Sequence, residues 1–209
     1  MTVLSQADCV AGYTTYVDLV KPLIEGKEIV ATAMKKEVQR VEAALELARA
    51  GKVCALISSG DPGIYAMAGL ALELCKAQSI PTAPMAAYPT LRESRETLFI
   101  EIVPGIPALA SGASLLGAPL THDFAAISLS DLLTPWESIE KRLDAAAMAD
   151  FVIVLYNPKS KRRSGHLTRA QEIILKYRSP ETPVGIIVSA MRPQQEISVI
   201  PLKDLHKAA

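Results

Sequence analysis

Lys52–Lys76 reads KVCALISSGDPGIYAMAGLALELCK, and its three parts decide the fold class. KVCALISS is a short apolar run closed by a turn signal, which predicts a buried strand. GDPGIY contains two glycines and a proline, residues that redirect a chain sharply and leave its backbone approachable. Ala66–Lys76 then takes up a helical period and predicts a helix folded back on the sheet. Strand, turn and helix in that order form the unit from which helix-covered parallel sheets are built.

The same alternation extends in both directions. Upstream, Lys27–Thr32 predicts a strand, and KKEVQRVEAALELARAG places Val38, Val41, Leu45 and Ala48 on one helical face before Gly51 closes it. Downstream, residues 78–97 contain three prolines and fit neither period, which predicts an irregular, mobile excursion before a strand at Leu98–Val103. Small residues dominate Ile106–Leu116 and permit a close-packed helix. A fresh strand follows at Phe124–Leu129, then a helix whose start is marked by Thr134 as cap, Pro135 in the first helical position and Glu137 completing a capping box. Ile139 and Leu143 lie on its apolar stripe. A strand at Phe151–Tyr156, a helix from about Gly165 to Tyr177 and strands near Val184–Ser189 and Ile197–Pro201 complete the series. The class is α/β, with a junction expected near residue 119 that divides the chain into 1–119 and 120–209.

Bulk composition narrows the function. Half of the 209 residues are hydrophobic, ample for a buried core, and 22 Lys and Arg balance 22 Asp and Glu. That balance gives the whole molecule no electrostatic reason to seek nucleic acid or an anionic membrane. Cys9, Cys54 and Cys75 form no CxxC pair and have no neighbouring histidine, so reduced core thiols are expected and no metal site. No apolar run reaches the roughly 20 residues that cross a bilayer, and MTVLSQADCV lacks the regions of a signal peptide, so a cytoplasmic protein is expected.

Ligands of open parallel sheets sit beyond the carboxyl ends of the strands. Four loops qualify: Ser59–Tyr65 (SGDPGIY), Pro104–Ala108 (PGIPA), Tyr156–Ser160 (YNPKS) and Ser189–Pro193 (SAMRP). Each read alone is also compatible with an ordinary strand-to-helix turn. GxxxxGK[ST], a strand-following GxGxxG, GxSxG and HExxH are all missing, which argues against ATPases, ordinary dinucleotide enzymes, hydrolases and zinc enzymes. The three histidines, His122, His166 and His206, are far apart in sequence.

At these loops the sequence resembles the tetrapyrrole methylases, and PLTHDFAAISLSDLLTPWESIEKR resembles their precorrin-3B or cobalt-factor III C-17 methyltransferase branch. GYTTYVDL, GDPGIY, VPGI, LYNPKS with GHLTRA, and TPVGIIVSAMR carry the likeness over nearly the whole chain. The resemblance implies two α/β domains, with a parallel N-terminal sheet and a mixed C-terminal sheet flanked by helices. It also implies a homodimer, S-adenosylmethionine in a cleft between the domains and a tetrapyrrole in an adjoining trough. It implies methylation at C-17 with contraction of the macrocycle; a sister methylase acting on another ring carbon is the nearest alternative.

Carried over by position, Gly60, Asp61, Ile64, Tyr65, Pro107 and Ala108 line one side of the donor site, and Tyr156, Asn157, Ala190 and Met191 supply the other wall. Asp61 can partner positive charge or cap the following helix. Ring contraction needs proton handling, for which His122, Asp123, Ser128, Ser130 and Asp131 are the candidates, His122 and Asp123 foremost; His122 just before a strand can also be structural. Ser128 and Ser130 share a strand face with Asp131 at its end, suited to binding substrate carboxylate arms or to forming the polar face of an edge strand. Lys159, Lys161, Arg162 and Arg163 form a cationic cluster that can steer a carboxylated substrate or be a solvated loop. The family pattern normally opens with a strand and a GxGPG loop, which MTVLSQADCVAGY does not supply. A start placed downstream or an impaired tetrapyrrole-binding product is therefore expected. Pro107, where relatives usually carry serine or threonine, removes a hydroxyl and a backbone donor.

Overall fold

The centre of the first sheet is a strand that the sequence pattern does not mark. Cys9–Tyr13 forms β1, and it lies between β2 (Glu28–Thr32) and β3 (Cys54–Ile57), both paired to it in parallel. Four of its five residues are buried. Gly12 is required there: a Cβ would fall 2.6 Å from Ile57 Cγ1 and 2.9 Å from Val17 Cγ2, so only glycine lets α2 (Thr14–Val20) and β3 close on the strand. Tyr13 is in register with Thr32, so β1 and β2 end level. The computed structural model describes residues 2–88, 96–159 and 165–208.

Helix α3 (Glu37–Arg49), which follows the short α1 (Thr2–Gln6) and α2, packs Val41, Ala44 and Leu45 into the core. Val38, expected on that face, is 46% exposed; the buried stripe is turned so that Arg40 takes its place. The Arg40 guanidinium donates from Nε to Thr32 Oγ1 at 2.8 Å and from Nη2 to Ala33 O at 3.2 Å, and lies 5.9 Å from the Tyr13 ring centroid. Gly51 at φ +90° ends this segment, where a left-handed residue is needed. After β3, α4 (Met67–Ala77) covers the sheet with Met67, Ala71 and Cys75. Part of the expected irregular excursion is ordered as β4 (Thr82–Pro84), paired in parallel with β5 (Leu98–Ile100). A three-residue strand containing a proline is too short to show a period. β5 stops at Ile100, and Ile102 and Val103, expected to continue it, are exposed. The mobility expected of the excursion falls in part on residues 89–95, which lie outside the described residues.

Contacts group the chain into two compact units, Met1–Pro107 and Ala108–Ala209, and so place α5 (Ala108–Leu115) with the second. Composition alone had put the junction near residue 119. In the second unit β6 (Phe124–Ser128) and β7 (Val152–Tyr156) pair in parallel, and β8 (Pro183–Val188) and β9 (Glu196–Pro201) pair antiparallel. The first unit's sheets are thus parallel and the second unit's mixed, as the resemblance implies. α6 (Trp136–Met148) and α7 (His166–Ile174) cover β6 and β7 with a core that includes Leu129, Ile139, Leu143 and Ala170. The expected capping box does not form. Pro135, at φ −55° and ψ 141°, is itself the N-cap and no side chain caps the helix, because the extended proline delays the first turn by one residue. Buried Gln171 is satisfied by Leu202 O at 2.7 Å and by His206 Nδ1 at 3.1 Å, which ties the C-terminal 3-10 turns to α7.

The orientation of α5 matters for the site. A Cβ on Gly112 would lie 3.6 Å from Ile187 Cδ1, and one on Gly185 would lie 2.2 Å from Leu116 Cδ1. Later residues of the helix therefore face earlier residues of β8, and the first turn of α5 points towards the carboxyl end of that strand.

Candidate active site

In the first unit the loops after β3 and β5 touch through their main chains. A Cβ on Gly105 would lie 2.1 Å from Gly60 O, so the two glycines pack backbone on backbone. Asp61 fixes the contact: its Oδ1 accepts from Gly63 N at 2.8 Å and its Oδ2 from Gly105 N at 3.1 Å. The carboxylate therefore laces GDPG to VPGI and does not cap α4, whose N-cap is Ala66. Ile64 N bonds back to Asp61 O at 3.2 Å and completes the turn. Tyr65 follows at φ +51° and is half exposed.

The second unit gathers its residues at the carboxyl ends of β6 and β7, where Ser128 and Tyr156 are register partners. Leu129 N donates to Tyr156 O at 2.8 Å. The Tyr156 hydroxyl accepts from Leu109 N at 2.9 Å, which sets the first turn of α5, and hence Ala108, against this strand end. Asn157, at φ +52°, donates from Nδ2 to Ser128 Oγ at 3.0 Å, and the same oxygen accepts from Ser130 N at 3.2 Å. Ala190 and Met191 stand just past β8, on the side to which α5 points its first turn; Met191 N donates to Gln195 Oε1 at 2.8 Å. Ala108, Tyr156 and the 189–191 turn thus converge within one unit.

Backbone conformation sets these loops apart. Among the described residues seven non-glycine residues have positive φ: Lys35, Tyr65, Ser79, Asp150, Asn157, Ser189 and Met191. Ser79 and Asp150 follow helix ends, where a left-handed residue is ordinary. Tyr65, Asn157, Ser189 and Met191 all lie in the loops singled out from sequence. Such conformations cost about 1–3 kcal/mol each and concentrate where a fixed ligand geometry is worth that cost.

The remaining predicted residues are distributed as follows. His122 and Asp123 are exposed at the amino end of β6, and the strand's length, on the order of 15 Å, separates them from Ser128. Asp131 lies at the opposite end with Ser128 and Ser130. Arg162 and Arg163, with Lys161, lie outside the described residues; Lys159 is exposed. Sequence reasoning missed His166. It opens α7 within GHLTRA, a segment quoted as a motif but assigned no chemistry. Its Nδ1 lies 3.0 Å from Leu129 O and its Nε2 lies 3.6 Å from Asp131 Oδ2. The ring stacks on Trp136 with centroids 4.3 Å apart. Periodicity gives no sign that the start of one helix meets the end of a strand 37 residues earlier.

Groups with displaced ionisation lie elsewhere. Burial, aided by a hydrogen bond with Cys9, pushes the Cys54 thiol up to about 12, and burial also raises Cys75. Both thiols are held neutral, Cys75 in the core and Cys54 half-buried on β3. Among the described residues no group of three or more His, Cys, Asp or Glu could hold a metal ion, and no helix is long and apolar enough to cross a membrane.

The sequence profile of the tetrapyrrole (corrin/porphyrin) methylases matches residues 1–206. The chain belongs to the tetrapyrrole methylases. Among relatives of this tetrapyrrole methylase, the cobalt-factor III methyltransferase of Priestia megaterium is 48% identical over 203 residues, which cover 97% of this chain and 35% of that protein. The probable cobalt-factor III C(17)-methyltransferase of Salmonella typhimurium is 48% identical over 202 residues, covering 97% of this chain and 77% of that one. Of solved structures, that of the methyltransferase CobJ matches with a TM-score of 0.82 at 38% identity, over 97% of this chain and 79% of its own. The chain thus spans about a third of the first of these relatives and over three quarters of the other two proteins.

Proposed function

We propose that the protein transfers the methyl group of S-adenosylmethionine to C-17 of cobalt-factor III or precorrin-3B, with contraction of the macrocycle, in cobalamin biosynthesis. The observation that carries this reading is the main-chain cradle of Gly60 and Gly105 locked by Asp61. The names of the 48% identical relatives support the ring and the position on it. Loops of this composition fit an adenosyl donor. The donor presents a flat apolar base, a ribose and a charged methionine end, which call for apolar faces and a few backbone partners. In the first unit the exposed side chains of Tyr65 and Ile106, and in the second that of Met191, with the loop backbones of each unit, are groups of this kind.

When bound, the donor supplies an already activated sulfonium methyl, so the protein needs no nucleophile of its own. Its task is alignment, which is worth roughly 7–11 kcal/mol of barrier. Gly60, Asp61, Ile64, Tyr65, Pro107, Ala108, Tyr156, Asn157, Ala190 and Met191 are the proposed donor-binding residues. Ser128, Ser130, Asp131, Arg162 and Arg163 are proposed to hold substrate carboxylates or orient the ring. His122 and Asp123 are the proton-handling candidates from sequence. A cytoplasmic homodimer is part of the same reading.

The test is incubation of the purified protein with the donor and each ring, read by product mass and absorption spectrum, together with calorimetric donor binding. The expected product gains one CH2 and has a contracted-ring spectrum. A methylated, uncontracted product assigns a sister activity on another carbon. Ring binding without any methyl turnover, or no heat with the donor, overturns the reading in favour of a tetrapyrrole-binding protein.

A further inference from the structure

The contact with Leu129 O at the carboxyl end of β6 selects the tautomer of the neutral His166 ring. Leu129 O can only accept, so the Nδ1 that lies 3.0 Å away carries the proton. The lone pair of the neutral ring is then on Nε2. That nitrogen faces Asp131 Oδ2 at 3.6 Å, within ion-pair range but longer than a hydrogen bond. Trp136 holds the imidazole in this pose and is itself held by Glu140 and Arg169. Trp136, nearly buried, stacks on it with planes 26° apart, and the Trp136 Nε1 donates to Glu140 Oε1 at 2.6 Å. Arg169 bonds the same Glu140 oxygen at 2.8 Å and lies 5.0 Å from the Trp136 ring centroid. Among the described residues the charged groups at this stack are Asp131 from the end of β6, Glu140 from α6 and Arg169 from α7, and Asp131 faces Nε2.

Hydrogen bonds also tie this pair to the proposed donor wall. Asn157 Nδ2 bonds Ser128 Oγ, Ser128 Oγ accepts from Ser130 N, and the residue between those two serines supplies the carbonyl that holds His166. Proton-handling chemistry and donor-binding residues therefore share one strand end. His122, the histidine chosen from sequence, is at the other end.

We propose that His166 is the proton acceptor of the methyl-transfer reaction, with Asp131 as the positioning residue that stabilises its charged form; this rests on the methyltransferase reading above. Charge conservation supplies the need. The ring carbon forms its new C–C bond with its own electron pair, while the electrons of the broken C–S bond stay on sulfur. A neutral ring then carries one positive charge and returns to neutrality by releasing a proton. That proton binds the lone pair of Nε2, the resulting imidazolium is paired with the Asp131 carboxylate, and it later leaves to solvent.

The experiment uses the full chain with His166→Asn, His166→Gln and Asp131→Asn. Asparagine is the discriminating change, because its Nδ2 replaces Nδ1 as donor to Leu129 O while removing Nε2; a purely structural role is rescued by H166N. The expected result is an unchanged melting temperature and donor affinity for H166N with kcat lower by about 10²–10⁴-fold, and a smaller loss for D131N. Nitrogen NMR of the histidine-labelled, ligand-free protein is expected to show the neutral ring protonated at Nδ1. An Nε2-protonated ring, or H166N turning over like the unaltered protein, overturns the assignment while the methyltransferase reading stands. If the unaltered protein methylates neither ring, the methyltransferase reading falls and the proton-acceptor role falls with it.

Discussion

Replacing Gly105 by alanine tests the main-chain lock of the first unit. The new Cβ would meet Gly60 O at 2.1 Å, whereas ordinary contact begins at 3.4 Å, so the two loops must part by about 1.3 Å. The neighbour is backbone and cannot swing aside like a side-chain tip. The Asp61 Oδ2 to Gly105 N distance of 3.1 Å then exceeds any hydrogen bond. Loss of a hydrogen bond to a charged acceptor costs about 1.5–3 kcal/mol. For a protein of this size that lowers the melting temperature by roughly 3–12 °C. A displacement of about 1 Å in positioning residues costs on the order of 10²-fold in rate, and a loss of the same order is expected in the calorimetric affinity for the donor or its demethylated product. Gly69 is the control: a Cβ there meets nothing within 4 Å in the first turn of α4, so Gly69→Ala is expected to stabilise by about 0.5–1 kcal/mol and leave donor binding unchanged. Wild-type donor affinity in G105A, with melting lowered no more than in surface variants, would refute the idea that this contact sets the site.

Tyr156→Phe removes the acceptor of Leu109 N and leaves that amide without its hydroxyl partner; a loss of about 1–3 kcal/mol in denaturant unfolding is expected, with weaker donor binding. Native Cys54, pushed up to about 12, is expected to resist alkylation at pH 8 and to react once guanidinium unfolds the first unit; equally fast labelling before and after unfolding would contradict its placement. Tyr177 is held above the ordinary tyrosine range, chiefly by donating to Asp144 Oδ2 at 2.9 Å. Because its folded pKa is raised, its contribution to stability is complete below the unfolded pKa and is lost as pH rises through the folded one. In a spectrophotometric titration, Asp144→Asn is expected to bring its ionisation back towards that of free tyrosine.

What the sequence made legible follows from length and period. β2, α3, β3 and α4 are each long enough, or bounded clearly enough by Gly51 and GDPG, for the alternation to show. β1 is five residues in which burial on both faces erases any alternation and a glycine imitates a turn, although it is the centre of its sheet. Val38 misled because α3 buries an arginine, Arg40, whose charge is held by Thr32, Ala33 and Tyr13; a polarity pattern assigns such a residue to solvent. In the candidate site, Asp61 was picked out as a residue, but its partner is 44 positions away in another loop. His122 drew attention because it precedes a strand. His166, whose geometry is chemically more specific, needed the pairing of β6 with β7 before its neighbours could be known.

The Asp61 lock has a bearing on how the site can diversify. Because both carboxylate oxygens engage main-chain amides, the frame they hold is indifferent to the side chains at positions 62, 64 and 106. Those positions are free to reshape the walls around a ligand without moving the scaffold, whereas 60, 61 and 105 tolerate almost nothing. Under the proposed function, the fit of the methyl donor is therefore tuned by redecorating fixed loops, with no need to redesign their course.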